Sequence, residues 1–194
     1  MMRPYIYISG YPGSDKQAIA EEVARLVPKS KVYRSRLLKD SIAPLVDRDS
    51  PHYKDVQTSF RRHMLETIAT SEATAPFTWI FTDSRPAESS GGTEARDYKD
   101  AADLRGTLFI PIILCHGYPP SFTEVISEFT EWNRQTGAGN SRLTRPAVLR
   151  RIGSEENMYV FGGPNKLRLD VSKLTAQEAA EKIYNHVFEV TDRY

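Results

Sequence analysis

The stretch YIYISGYPGSDKQAIAEEVARLV, Tyr5 to Val27, constrains this chain more than any other. Tyr5-Ile6-Tyr7-Ile8 has the apolar, aromatic character of a buried strand. A Gly-containing turn follows. Then comes a helical spacing that places Ile19, Ala20, Val23, Ala24, Leu26 and Val27 on one face, ended by Pro28. Strand, Gly-rich turn and helix in this order lay out a phosphate-binding loop. Backbone N–H groups and a helix N-terminus point at an anion, and a lysine adds a point charge. Against the pattern G-x-x-x-x-G-K-[ST], Gly10 and Lys16 are in place, Asp15 stands for the second glycine, and Gln17 stands for the hydroxyl residue. A carboxylate at Asp15 would repel a polyphosphate by about 1–4 kcal/mol, depending on screening. A Gln amide is a poorer Mg2+ ligand than a hydroxyl at that place. The competing reading is a strand-to-helix turn whose glycines serve backbone geometry alone.

Further strands are predicted at Lys31–Tyr33, at Phe77–Thr82 ending on Asp83, at Leu108–Leu114 and at Lys166–Val171. Pro111 inside the fourth run suggests a bulge or a sheet edge. Helices are predicted over Leu37–Val46, from a Ser50-Pro51 start to about Ser71, over Thr93–Leu104 before Gly106, over Ser121–Arg134, and from Pro146 to about Asn157. In the Ser50–Ser71 helix, Tyr53, Val56, Phe60, Met64 and Ile68 form the apolar stripe, with Lys54, Arg61 and Arg62 off it. Thr175-Ala176-Gln177-Glu178 is a capping box, opening a last helix with Ala179, Ala180, Ile183 and Val187 inward. Strands alternating with helices predict a three-layer α/β fold with a mainly parallel sheet of about five strands. Its ligands would gather at the carboxyl ends of the strands, namely Gly10–Gln17, Arg34–Arg36, Asp83–Arg85 and Cys115–Tyr118.

At 194 residues, one domain over 1–194 is expected. The formal charge of +1, from 26 basic and 25 acidic residues, offers no general attraction for nucleic acid or a membrane. Cys115 is the only cysteine, which rules out a disulfide framework and suits a reducing, cytoplasmic setting. No apolar run approaches the roughly 20 residues of a membrane span. His52, His63, His116 and His186 have no ligand spacing, so no metal site is read in them. Asp83 could hold Mg2+ through water or take a proton from a substrate hydroxyl; equally, it could cap a turn. Arg134, Arg142, Arg145, Arg150 and Arg151 surround Gly137 and Gly139, as clamp residues on a flap at about 134–146 or as a solvated basic face.

The chain resembles the fungal P-loop small-molecule kinase-like proteins, which are distantly similar to chloramphenicol phosphotransferases and adenylate kinases. The resemblance rests on the GYPGSDK loop, LLKDSIAPLVDRDSPHY, WIFTD, RDYKDAADLRGTLFIPIIL, SRLTRPAVLRRI and LRLDVSKLTAQEAAEKI. It implies a P-loop NTPase-like fold, with ATP and Mg2+ as cofactors and a small metabolite as acceptor. Lys16, Asp83, Arg142 and Arg145 are then the catalytic candidates. Gly10, Gly13, Ser14, Asp15, Lys16 and Gln17 would cradle the nucleotide, and Arg34, Arg36, Asp40 and Arg85 would contact the acceptor. Three family positions differ. The loop ends Asp15-Lys16-Gln17 in place of Gly-Lys-Ser/Thr. Arg34-Ser35-Arg36 replaces an Asp-Asn-His triplet. Arg142-Leu143-Thr144-Arg145 replaces Lys-Leu-Thr-Asp.

Three functions follow from these residues. One is ATP-dependent phosphotransfer to a small metabolite. Another is a cofactor-independent enzyme that has reused the nucleotide cleft, as in fungal secondary metabolism. The third is a non-catalytic binding protein.

Overall fold

The computed structural model describes residues 3–10, 14–83, 91–115 and 159–194. Their elements alternate as the sequence predicts: β1 (Tyr5–Gly10), α1 (Lys16–Leu26), β2 (Ser30–Arg34), α2 (Ser35–Ile42), α3 (Tyr53–Thr70), β3 (Thr78–Asp83), α4 (Gly91–Arg105), β4 (Phe109–Cys115), β5 (Leu167–Asp170) and α5 (Ala176–Asp192). The five strands form one sheet in the order β2-β3-β1-β4-β5, and every pairing is parallel. This is the expected α/β fold. The predicted helices at Ser121–Arg134 and Pro146–Asn157, and the flap, lie outside the described residues.

The sheet is sandwiched between two different cores. Strand residues alternate between faces, and β1 divides accordingly. Ile6 and Ile8 join Ile80, Ile110, Ile112 and Leu114 in an aliphatic layer under α1 and α5. Tyr5 and Tyr7 join Phe81 and Phe109 in an aromatic layer under α3 and α4. In that layer Tyr98 of α4 packs on both Tyr7 and Phe81, at ring-centroid distances of 5.0 and 5.1 Å. The cap of α5 is the one predicted. Thr175 Oγ1 accepts from the Glu178 N–H at 3.2 Å, and the Glu178 carboxylate accepts from the Thr175 N–H at 2.8 Å. At the end of α4, Gly106 adopts φ +69°, and the Thr107 N–H reaches the Ala102 carbonyl at 3.0 Å. That left-handed residue closes the helix.

Two local expectations are corrected. Pro111 sits in neither a bulge nor an edge strand; β4 lies between β1 and β5. The Tyr5 N–H donates to Leu108 and the Val171 N–H to Cys115, so even residues of β4 face β1 and odd ones face β5. Pro111 is odd, and the β4–β5 pairing begins only at Ile112 with Leu167. Its missing N–H therefore removes no ladder bond. The stripe of α3 is also rotated from the predicted one. Gln57, Arg61, Leu65, Ile68 and Ala69 are its buried residues, while Phe60 is 42% exposed.

The reason is electrostatic. Arg61 is 1% exposed, and its Nε and Nη2 both lie 2.8 Å from Asp97 Oδ2 on α4. Its Nη1 lies 3.5 Å from Glu94 Oε2. Arg62 Nε donates to Asp97 Oδ1 at 3.1 Å from the rim. A charge can be buried when it is paired in this way. The network ties α3 to the first half of α4.

Candidate functional site

The fold creates one crevice by its topology. β1 and β3 are neighbours, with Ser9 in register with Asp83. β1 is followed by α1, which packs on the aliphatic face. β3 is followed by α4, which packs on the aromatic face. Adjacent parallel strands that send the chain to opposite faces leave a crevice at their carboxyl ends. Gly10 and Asp83 stand at that crevice, and Lys16 opens α1 above it.

Gly10 is required by packing. A Cβ there would lie 2.5 Å from Ser14 Oγ and 3.1 Å from Leu114 Cβ. Ser14 is 1% exposed, and its hydroxyl finds no hydrogen-bond partner among the described residues. A buried hydroxyl without a partner costs about 1–3 kcal/mol. Gly10→Ala is expected to overpack this turn and lower stability by about 1–3 kcal/mol, read as a lower urea midpoint at unchanged slope. An unchanged midpoint would mean that the turn does not hold Ser14 against Gly10.

Asp15 precedes α1 at φ 46° and ψ 20°, the left-handed region, and its side chain caps nothing. The backbone thus keeps the shape a glycine favours there, and Asp is among the few other residues that tolerate it. The Asp15 carbonyl accepts the Ile19 N–H at 2.9 Å, which starts the helix. The side chain of Asp15 is exposed.

Lys16 carries the main electrostatic feature. Part of the residue is exposed, but its ammonium is crowded by protein, and its pKa falls from 10.5 to about 8. Desolvation is the largest cause. The Asp83 carboxylate opposes it, the Lys39 ammonium adds to it, and Asp15 opposes it weakly. Asp83 is itself buried at the end of β3. Lysine and acid, expected from separate motifs, are therefore brought together. Lys39 had no place among the expected site residues; its spacing in α2 held no motif.

The remaining candidates fall elsewhere. Gln17 is exposed, and its amide donates along α1 to Glu21 Oε1 at 3.4 Å. The same carboxylate oxygen pairs with the Arg34 guanidinium. Arg36 pairs with Asp40 one turn on at 3.4 Å, both more than half exposed. These two arginines are thus engaged with carboxylates of their own chain at the rim. Gly13, Arg85, Arg142 and Arg145 lie outside the described residues.

The arrangement suits a polyphosphate better than it suits a metal. The blocked Cβ at Gly10, the unpartnered Ser14 hydroxyl, the α1 N-terminus and Lys16 together fit the phosphates of ATP. The usual Mg2+ hydroxyl is replaced by an amide that donates to Glu21, and among the described residues the carboxylates of Asp83 and Asp15 both act on Lys16. No cluster of three or more His, Cys, Asp or Glu residues able to hold a metal occurs among the described residues.

No protein-family model matches the chain, and no curated protein does. Solved structures do match. A candidate kinase from Chloroflexus aurantiacus aligns at TM-score 0.65 and 15% identity, over 97% of this chain and 98% of its own. The Mycobacterium tuberculosis APS kinase, in complex with AMPPNP and APS, aligns at 0.61 and 14%, covering 96% and 98%. A gluconokinase from Sinorhizobium meliloti aligns at 0.60 and 14%, covering 99% and 95%. The strand order, the strand–loop–helix unit at β1 and these likenesses define a P-loop kinase-like fold. No described helix is long and apolar enough to cross a membrane.

Proposed function

We propose that the chain is a P-loop kinase-like phosphotransferase that passes a phosphoryl group from ATP to a hydroxyl of a small metabolite in the cytosol. The observation that carries this reading is the joint placement of Lys16 and Asp83 at the crevice between β1 and β3. ATP, when bound, supplies the phosphoryl group. Ser14 Oγ and the N–H groups at the head of α1 hold phosphate oxygens, and Lys16 neutralises charge on them. Asp83 orients the acceptor hydroxyl and takes its proton on a carboxylate oxygen. Arg142 and Arg145 are assigned to the transferring group, and Arg85 to the acceptor.

A second reading has its own observation: Gln17 is committed to Glu21, and Asp15 lies beside Lys16. It supports a phosphate-binding scaffold that has lost transfer chemistry. Calorimetric titration with ATP and Mg2+ tests the first reading, and no heat at millimolar nucleotide would sink it. The double substitution Asp15→Gly with Gln17→Ser is expected to tighten ATP binding about tenfold by removing a like charge and restoring a metal ligand. If affinity stays the same, these two residues are not what sets nucleotide binding.

A further inference from the structure

The polar contact between α3 and α4 has a definite height above the sheet's carboxyl edge. α4 runs against the strands. Arg105, its last residue, reaches the Tyr5 hydroxyl at the start of β1 at 3.3 Å, and Tyr98, near its middle, packs on Tyr7 and Phe81. From Tyr98 back to Glu94 is about 6 Å of helix. From Tyr7 and Phe81 on to Ser9 and Asp83 is about 6.6 Å of strand. Glu94 therefore stands level with the Ser9–Asp83 pair, whose side chains leave the sheet on this same aromatic face by alternation. α3 runs in the direction of α4, since the Ile68 carbonyl accepts from Arg105 at 2.7 Å while Arg61 pairs with Asp97. Gln57 precedes Arg61 by one turn on the buried stripe, and so lies nearer the carboxyl edge.

Two groups on that stripe are left unsatisfied. Arg61 commits Nε and Nη2 to Asp97, but its buried Nη1 makes no hydrogen bond, with Glu94 Oε2 3.5 Å away. Nη1 is the corner turned toward Glu94, and hence toward the carboxyl edge. Gln57 is 8% exposed, and its amide makes no hydrogen bond among the described residues. Buried polar groups of this kind are normally paired. Charge then selects the partner. Arg61 and Arg62 balance Glu94 and Asp97, and Asp83 adds a carboxylate at the same level, so an anion meets no net attraction from these side chains. A hydroxyl both donates and accepts, which matches an amide beside a guanidinium corner.

We infer that the acceptor is an uncharged molecule with several hydroxyls, a polyol or a sugar, and that Gln57 determines this specificity. Its amide exchanges hydrogen bonds with one hydroxyl, and Arg61 Nη1 donates to a neighbouring one. The word acceptor rests on the phosphotransfer reading above. The binding itself does not, because it can be measured without nucleotide.

The test is saturation-transfer NMR on the full chain without nucleotide. Ribitol, D-glucose and myo-inositol are the neutral probes, and gluconate and glucose 6-phosphate the anionic ones. At least one neutral probe is expected to bind, and more tightly than either anion. Gln57→Leu should weaken that binding about tenfold, the size of one lost hydrogen bond, while ATP affinity by calorimetry stays at the wild-type value. Gln57→Met is the second apolar variant, should Gln57→Leu unfold early. No binding of any neutral probe, tighter binding of an anion, or apolar Gln57 variants that bind like wild type would each overturn the inference. A variant that weakens ATP and polyol alike would also overturn it, because Gln57 would then be holding the fold and not reading a ligand. If ATP binds and no polyol does, the inference falls and the phosphotransfer reading stands. If a polyol binds through Gln57 and ATP gives no heat, phosphotransfer falls and the polyol site stands.

Discussion

Arg61→Ala is expected to destabilise the protein by about 3–5 kcal/mol, a large part of the 5–15 kcal/mol typical of a domain. The physical cause is the partner left behind. Asp97 is buried and takes two contacts from Arg61 at 2.8 Å. Without that guanidinium its carboxylate keeps, among the described residues, the pairing to Arg62, which reaches in from the rim with its own side chain 59% exposed. Burial without adequate pairing is costly because water can no longer solvate the charge. A cavity on the α3–α4 contact adds to the loss. Arg62→Ala is the control: a mostly exposed partner, its removal should cost about 1 kcal/mol or less. Urea unfolding at pH 7 measures both. An Arg61→Ala midpoint close to wild type would mean that the network does not hold the two helices together.

Lys16→Met is expected to move function and stability in opposite directions. Nucleotide affinity should fall on the order of 100-fold, the typical result of truncating one member of a desolvated charge pair. Stability should hold or rise, since burial already disfavours this charge in the folded protein. The pH dependence separates the two effects. Lys16 has a pKa of about 8 when folded and 10.5 when unperturbed. Between those values the unfolded chain carries more protons, so the stability of the ligand-free wild type should rise with pH across that window. Below about pH 8 both states are protonated and this contribution is flat. Lys16→Met should lack the rise. Anion binding runs the other way: it needs the protonated ammonium and should weaken above about pH 8. A wild-type stability profile parallel to that of Lys16→Met from pH 8 to 10.5 would show that the Lys16 ammonium is not desolvated.

Much of this was legible in the linear chain because it depends on neighbours in sequence. The run from Tyr5 to Val27 specifies strand, turn and helix within 23 residues. Strand ends were readable to within a residue or two, as at Asp83, and so was the Thr175 capping box. These features rest on periodicity, backbone sterics and local hydrogen bonds. The α3 stripe was not legible in the same way. Periodicity favoured Phe60 over Arg61, but the outcome depended on acids 33 and 36 residues away in the chain, Glu94 and Asp97. Pro111 likewise looked wrong for an interior strand until the starting point of the β5 ladder was known.

The sequence by itself determined the class of the fold and the place of its anion loop. Gly10, Lys16 and the strand before them admit few other arrangements. Tertiary structure decided which side chains share the site. It brought Asp83 to act on Lys16 by pairing β1 with β3, and it turned Arg34 of β2 onto Glu21 of α1. The reason is one of range. A backbone pattern is settled within a turn or a strand. The environment of a charge is settled by whichever distant groups the completed core holds within a few ångströms of it.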